Sequence, residues 1–315
     1  MVQALAVSLF KVVFLVLLAP LLTGIIKKTK AFFQTRRGPS IFQPYLDLFK
    51  YFQKESVISE HTSWIFRAAP IVFFTTMLVA GLLIPVVSTA GLFNSMGDVI
   101  LIIYLFALGR FFLTLAGLDA GSAFGGMASS REMALSSVAE PATMLPLFSM
   151  AVIQGTTNLG GIIEGVIAGG SALLTPAHLL SFAAFFIVAI AETGRIPVDN
   201  PDTHLELTMI HEGMLLEYSG KPLALMTLGA SLKQLLIFAL LANVFFPWGI
   251  ALDGSLGAIG IAALAFVLKV VFLGVVMAVI ETSFAKMRLF KVPDLLMGSF
   301  LLGLLGLITK FLFRG

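Results

Sequence analysis

The residues best equipped for chemistry lie between Glu192 and Tyr218, where Glu192, Arg195, Asp199, Asp202, His204, Glu206, His211, Glu212, Glu217 and Tyr218 fall within one connecting segment. Carboxylates and imidazoles this close can take up and release protons near neutral pH, or bind a cation. A zinc-peptidase pattern is missing, because His211-Glu212 has no second histidine one helical turn on. A solvated acidic loop is the plainer alternative, and a proton or ion conduit is the sharper one. Asp199 or Asn200 followed by Pro201 predicts a helix start, with His204, Leu205, Thr208 and Glu212 at helical spacing behind it.

A second set of ionisable residues sits inside strongly apolar runs: Lys11, Arg110, Glu140, Lys233 and Lys269, with Glu192 and Glu281 closing two runs. Each charge at mid-membrane costs about 2.5–3.5 kcal/mol on insertion scales, so each needs a partner or a task. Structural ion pairs between helices are one reading, and a charged pathway is the other. Glu140 precedes Pro141, whose missing N–H opens a helix locally to water or to another polar group. Buried carboxylates rise in pKa and buried lysines fall, so Glu140 facing Lys233 or Lys269 would form a proton-exchanging pair.

The elements that must position these groups follow from composition. With 58% hydrophobic and 12% charged residues in a chain of 315, polar side chains cannot cover a water-facing surface, which excludes a soluble globular protein. About 20 apolar residues cross a bilayer. Eight such spans are expected, at residues 4–26, 68–89, 99–118, 133–154, 177–192, 223–246, 257–281 and 292–313, forming a single polytopic domain over 1–315. The first is too long for a signal-peptide core and reads as a retained helix. Connections alternate. Loops one, three, five and seven hold Lys27, Lys28, Lys30, Arg36, Arg37, Lys50, Lys54, Arg67, Arg131, Arg195, Lys221, Lys286, Arg288 and Lys291, whereas loops two, four and six hold no Lys or Arg. The positive-inside rule then places the odd loops in the cytoplasm and both termini outside, with Lys310 and Arg314 snorkelling from the last span.

Loops one and five are long, and ordered loops of that length usually carry function. Within the first, Ile41, Tyr45, Leu48, Phe49 and Phe52 recur at helical spacing and predict an amphipathic interfacial helix. Gly161, Gly165 and Gly169, four residues apart, predict close helix packing. The pI of about 9.2 reflects basic residues flanking spans, which speaks for membrane orientation and against nucleic-acid binding. With no cysteine, the chain supplies no thiolate for an iron-sulfur cluster or disulfide. A Gly-rich phosphate loop after a strand is also missing, since Gly121 to Gly126 lie between two membrane helices.

Three motifs carry a family resemblance: Arg36-Arg37-Gly38-Pro39, Ala191-Glu192-Thr193-Gly194-Arg195-Ile196-Pro197-Val198-Asp199, and Glu217-Tyr218-Ser219-Gly220. Together with the order and lengths of spans they are similar to the subunit 1 (NuoH) family of respiratory complex I and its hydrogenase relatives. The third loop, Leu118 to Gly126 with Ser129-Ser130-Arg131-Glu132, then Ala139-Glu140-Pro141, and the stretch Asp202 to Thr208 with His211-Glu212 resemble the membrane subunit of group 4 nickel-iron hydrogenases and formate hydrogenlyases. The resemblance implies an all-α, multi-pass subunit of a prokaryotic cytoplasmic membrane, itself non-catalytic within an oxidoreductase and ion translocase. It would link a cytoplasmic redox arm to proton or sodium movement. It implies an ion path through Glu140, Glu192, Asp199, Glu206 and Glu217, to which local chemistry adds Glu212, Lys233, Lys269 and Arg110. Arg36, Arg37 and Arg195 would dock hydrophilic partners. Those partners are hydrogenase-like large and small subunits, carrying the iron-sulfur clusters and the nickel-iron centre, beside antiporter-like membrane subunits. A quinone-chamber subunit of a true complex I is the alternative, although the departures in loops three and five weigh against quinone. A stand-alone secondary transporter would need paired repeats and broken helices, which the sequence does not display.

Overall fold

The computed structural model describes residues 2–89, 91, 93–169, 175–200, 209–252 and 255–312. Among the described residues ten α-helices form the scaffold: α1 (Val2–Phe33), α2 (Gln43–Gln53), α3 (Trp64–Leu83), α4 (Val99–Asp119), α5 (Ala123–Gln154), α6 (Leu159–Gly169), α7 (Pro176–Glu192), α8 (Gly220–Phe245), α9 (Leu256–Ser283) and α10 (Val292–Leu312). No strand occurs among the described residues. Seven of these helices are long and apolar enough to cross a membrane, and α7, the fifth expected span, is a 17-residue apolar helix. The chain is an all-helical integral membrane protein.

Helix α8 runs through the middle, packed by α1, α2, α3, α6, α7 and α9, and from Leu232 to Phe245 it is buried without a break. A helix apolar all round and so enclosed is the core element of the bundle. Helices α9 and α10 lie at the edge, and Ile261, Leu264, Leu268, Phe272, Leu301 and Leu305 remain exposed there. In a bilayer such faces meet acyl chains of matching polarity.

Connections sort cleanly by end. Val57 N–H donates to Ser219 Oγ (2.8 Å), Ser63 N–H donates to Asp119 (2.9 Å), and Met287 N–H donates to Pro197 C=O (2.8 Å), joining the odd loops. At the opposite end Val99 N–H donates to Thr157 C=O (3.0 Å) and Thr89 N–H to Ala251 C=O (3.1 Å), joining the even loops. The alternation of charge along the sequence is therefore a two-ended distribution in space.

Two helices outrun their hydropathy. α5 begins at the Ser122 cap, whose Oγ accepts from Gly125 N–H, ten residues before the expected start at 133. Ser129-Ser130-Arg131-Glu132 thus lies on a helix, and Ser129 Oγ bonds Thr114 C=O on α4 (2.9 Å). The cause is that side chains facing a polar cleft lower the hydropathy of a helix without unwinding it. α1 likewise continues past Ile26 to Phe33, carrying Lys30 inward to Glu281 (3.1 Å). In the other direction α3 stops at Leu83, and Asn243 Nδ2 holds the extended segment after it through Pro85 and Val86 C=O (3.1 and 3.0 Å).

The amphipathic helix expected in loop one is α2, which buries Leu48 against α8 and exposes Phe42, Leu46 and Phe49. Pro141 and Pro146 are accommodated inside a continuous α5. Gly165 lies so near Gln154 that a Cβ would stand 2.4 Å from Gln154 Oε1, so this glycine serves the packing of α6 on the end of α5. The expected helix start at Asn200-Pro201, together with His204, Leu205 and Thr208, falls beyond the described residues from Pro201 onward.

Candidate functional site

The bundle brings most of its internal charge into one row. Arg110, from the middle of α4, is its hub: Nη2 lies 3.2 Å from Glu140 Oε1 on α5, and Nη1 donates to Glu192 Oε1 at 2.9 Å at the end of α7. The other Glu192 oxygen lies 2.8 Å from Lys233 Nζ on α8. Four helices thus meet in a chain of alternating sign. Such pairs in a low dielectric are held only while both partners are present, and removal of one leaves an uncompensated charge. Glu140 is the outermost member, with 35% of its side chain exposed against 8% for Glu192. It opens into a groove of about 860 Å³ beside Tyr104, Leu108, Phe111 and Met133 on the outer side of α4 and α5.

The sequence leaves the partner of Glu140 open, and the geometry supplies it. Its partner is Arg110, while Lys233 serves Glu192 and Lys269 is elsewhere: Lys269 Nζ donates to Phe246 C=O (2.7 Å) and Asn243 Oδ1 (3.3 Å) at the even-loop end. Which side chains meet depends on helix rotation and crossing, and span-level hydropathy does not encode that.

Closer to the odd loops a second cluster forms. Lys286 of loop seven contacts Asp199 Oδ1 (2.8 Å), Asp199 Oδ2 faces His211 Nδ1 (3.5 Å), and His211 Nε2 faces Glu132 Oε2 on α5 (3.4 Å). Burial by itself would raise Asp199, but His211 and Lys286 beside it hold its carboxyl well below the usual range. Burial disfavours the His211 imidazolium, yet the Glu132 and Asp199 carboxylates more than compensate for that and for the repulsion from Lys233, leaving its pKa above the ordinary value. Glu132 and His211 are visible in the sequence only as parts of longer motifs. Glu132 gives no signal of its own there, because its stretch has the hydropathy of a loop. On a helix begun at Ser122 it falls one turn from Ser129 and Ser136, which are also buried.

Both clusters line one cleft of about 740 Å³, walled by Arg110, Glu132, Glu192, Asp199, His211 and Lys233. Glu212, Leu215, Ala230 and Gln234 lead from it into a wider cavity of about 1550 Å³ between α1, α2, α8 and loop five. Arg195 faces inward, 3.2 Å from Glu281 and 2.8 Å from Gln234 Oε1, so its guanidinium is buried in this structure whereas Arg36 and Arg37 are exposed. Glu217 is exposed at the rim, and Glu206 lies outside the described residues. Among the described residues no three His, Cys, Asp or Glu side chains converge as a metal-holding group.

The motifs acquire structural reasons. Gly194 has φ +60°, and a Cβ there would lie 2.9 Å from His211 Nδ1, so the turn and the seat of the imidazole both require glycine. Tyr218 stacks on Phe66 with ring centroids 3.9 Å apart and donates to Phe66 C=O (2.8 Å). Gly220, at φ +58°, approaches Glu55 C=O so closely that a Cβ would stand 2.6 Å from that oxygen. Glu217-Tyr218-Ser219-Gly220 is thus a clasp between loops five and one.

Known proteins share this organisation. Residues 5–310 match the NADH dehydrogenase family. Formate hydrogenlyase subunit 4 of Escherichia coli K12 is 36% identical over 282 residues, covering 90% of this chain and 91% of that protein. Hydrogenase-4 component C of the same organism is 37% identical over 281 residues (89% and 88%). An NADH-quinone oxidoreductase subunit of Rubrobacter xylanophilus is 30% identical over 251 residues (76% and 74%). A chain of the membrane-bound sulfane sulfur reductase, an archaeal respiratory membrane complex, has the same fold, with a TM-score of 0.79, 18% identity and 98% coverage of both chains. With nearly its whole length matched by the family and its relatives, this chain belongs to the NADH dehydrogenase family of membrane proteins.

Proposed function

We propose that this chain is the membrane-anchor and ion-coupling subunit of a complex I-like energy-converting hydrogenase or formate hydrogenlyase. The observation that carries the reading is the row of opposite charges from the loop-five cleft through Arg110 to Glu140. Lys286, His211, Arg110 and Lys233 alternate with Asp199, Glu132, Glu192 and Glu140. In a balanced row, one added proton frees a cation to change partner, and the imbalance travels without any side chain crossing the membrane. Glu206, Glu212 and Glu217 would feed the cleft from loop five. The two Escherichia coli relatives, formate hydrogenlyase subunit 4 and hydrogenase-4 component C, support the hydrogenase branch.

In this reading the odd loops face the cytoplasm of a prokaryotic inner membrane. Exposed Arg36 and Arg37 receive hydrogenase-like large and small subunits, which carry the iron-sulfur and nickel-iron centres. Antiporter-like membrane subunits continue the path laterally, and the half-exposed Glu140 supports that direction, since a carboxylate facing lipid alone would be costly. The test is Glu140→Gln in the purified complex reconstituted in sealed liposomes. Ion movement per electron should collapse while part of the partner's redox turnover persists. Full coupling in that variant removes the reading, and purification without a nickel-iron subunit removes the hydrogenase branch.

A second reading, the quinone-chamber subunit, rests on the cavity of about 1550 Å³ whose wall pairs Leu48, Leu223 and Leu216 with Tyr51, Arg195 and Gln234. A wall that mixes apolar and polar side chains suits an amphiphilic ligand. Bound quinone in the purified complex, with quinone-dependent turnover, would select it.

A further inference from the structure

His211 faces two carboxylates from different elements, with Nδ1 3.5 Å from Asp199 and Nε2 3.4 Å from Glu132. A neutral imidazole has one N–H and one lone pair, so in this orientation it would aim a lone pair at one of the two carboxylates. The imidazolium alone is an ion-pair partner for both, with Nδ1 buried and making no hydrogen bond. Only glycine at 194 leaves room for the ring there, since a Cβ would stand 2.9 Å from Nδ1.

The two carboxylates differ in what else holds them. Asp199 Oδ1 accepts from Asn200 N–H (2.8 Å) and Lys286 Nζ (2.8 Å), and Oδ2 accepts from the backbone N–H groups of Ile210 and His211 (both 3.3 Å). A carboxylate so supplied with donors stays ionised and keeps the proton on Nδ1. Glu132, buried on α5, has the imidazole as its ion-pair contact and shares its cleft with Arg110. It is therefore the acceptor with room to change state. The remaining charges facing the ring are Lys233 from α8 and Glu192 from α7, with Lys286 of loop seven behind Asp199.

We propose that His211 loads protons into the path, giving the proton on Nε2 to Glu132 while Asp199 retains the one on Nδ1. The inference deepens the ion-coupling reading and rests on it. In the step the Nε2–H bond breaks, an O–H bond forms on Glu132, and the ring is left neutral until water in the cleft returns a proton to Nε2. Protonated Glu132 no longer competes with Glu192 and Glu140 for Arg110, which joins the outer cluster to the inner row. Because the two carboxylates favour the imidazolium, the ring holds its proton to higher pH than a free imidazole and empties as the medium becomes more alkaline.

The test uses the intact complex in sealed liposomes, with electron turnover and lumenal pH from a trapped dye read together between about pH 5.5 and about pH 9, a range bracketing histidine titration. In His211→Gln, proton flux per electron is expected to fall about tenfold and the alkaline decline of flux to disappear. In Asp199→Asn that decline should move to lower pH, because a charge favouring the imidazolium is gone. Wild-type flux with an unchanged pH profile in His211→Gln overturns the proposal and leaves the ion-coupling reading standing. Full coupling in Glu140→Gln is the separate result that removes the reading and the proposal together. Infrared difference spectra of the unsubstituted complex, stepped over the same range, decide the matter even if His211→Gln fails to assemble. A carboxyl C=O band that grows on acidification and is missing in Glu132→Gln supports the transfer, and its survival in Glu132→Gln overturns it.

Discussion

At the even-loop end of the bundle Lys11 and Lys269 are surrounded by neutral acceptors. Lys11 donates to the carbonyls of Leu82 (2.6 Å) and Ile84 (3.2 Å) at the end of α3, and Lys269 to that of Phe246 (2.7 Å) at the end of α8. Deeper in the bundle, toward the odd loops, Lys233 and Arg110 share one carboxylate, Glu192. A lysine on helix C-terminal carbonyls satisfies orphan acceptors and complements the helix dipole, so its work is to tie helix ends together. A lysine on a shared carboxylate belongs to a network, since the same anion also meets Arg110. Buried lysines of one type thus fasten helix ends in one half of the molecule and belong to an exchangeable row in the other.

Removing Arg110 should hurt most. Arg110→Met leaves Glu140 and Glu192 facing each other in a low dielectric, and a loss of about 3–5 kcal/mol is expected, read as a large drop in thermal unfolding temperature and assembly yield. Stability near that of the unsubstituted chain would mean the row is not a set of mutually dependent charges. Next, Lys233→Met and Lys269→Met separate the two halves directly. Lys269→Met should cost about 1–3 kcal/mol through unpaired carbonyls and leave ion flux per electron near its original value, whereas Lys233→Met should abolish coupling. Loss of coupling in Lys269→Met at unaltered stability would erase the distinction between the ends.

A smaller effect follows from pH. The folded pKa of His211 is raised, so the stability it contributes is fully present below its unfolded pKa of about 6.5 and is lost as pH rises through the folded value. Asp199 is lowered, so its contribution is present above about pH 4 and disappears only on strong acidification. Amide exchange at Ile210 and His211, both bonded to Asp199, should speed up on alkalinisation beyond the intrinsic rate increase. Smallest is Ser219→Ala, which removes the hydroxyl that accepts from Val57 N–H and donates to Val57 C=O. A loss of about 0.5–1.5 kcal/mol is expected, with faster proteolysis of loop one as the readout.

Membrane-spanning segments are legible in the sequence because lipid demands long apolar runs, and the two-ended charge distribution because basic residues sort by side. The helical spacing of Tyr45, Leu48 and Phe52 likewise suffices to find α2. The clustering of Glu192, Arg110 and Lys233 can be anticipated only as a set of costly charges in want of partners. Their pairing cannot, because Arg110 meets Glu140 through helix rotation that composition leaves unspecified. Glu132 is hidden by the low hydropathy of its own stretch, and Arg195 by a loop that folds back so that the side chain reaches Glu281 from within.

Asp199 binds the chain at Asn200 on one side and at Ile210 and His211 on the other. One carboxylate therefore fixes backbone points that are distant in sequence, so its loss would release both sides of the His211 seat together.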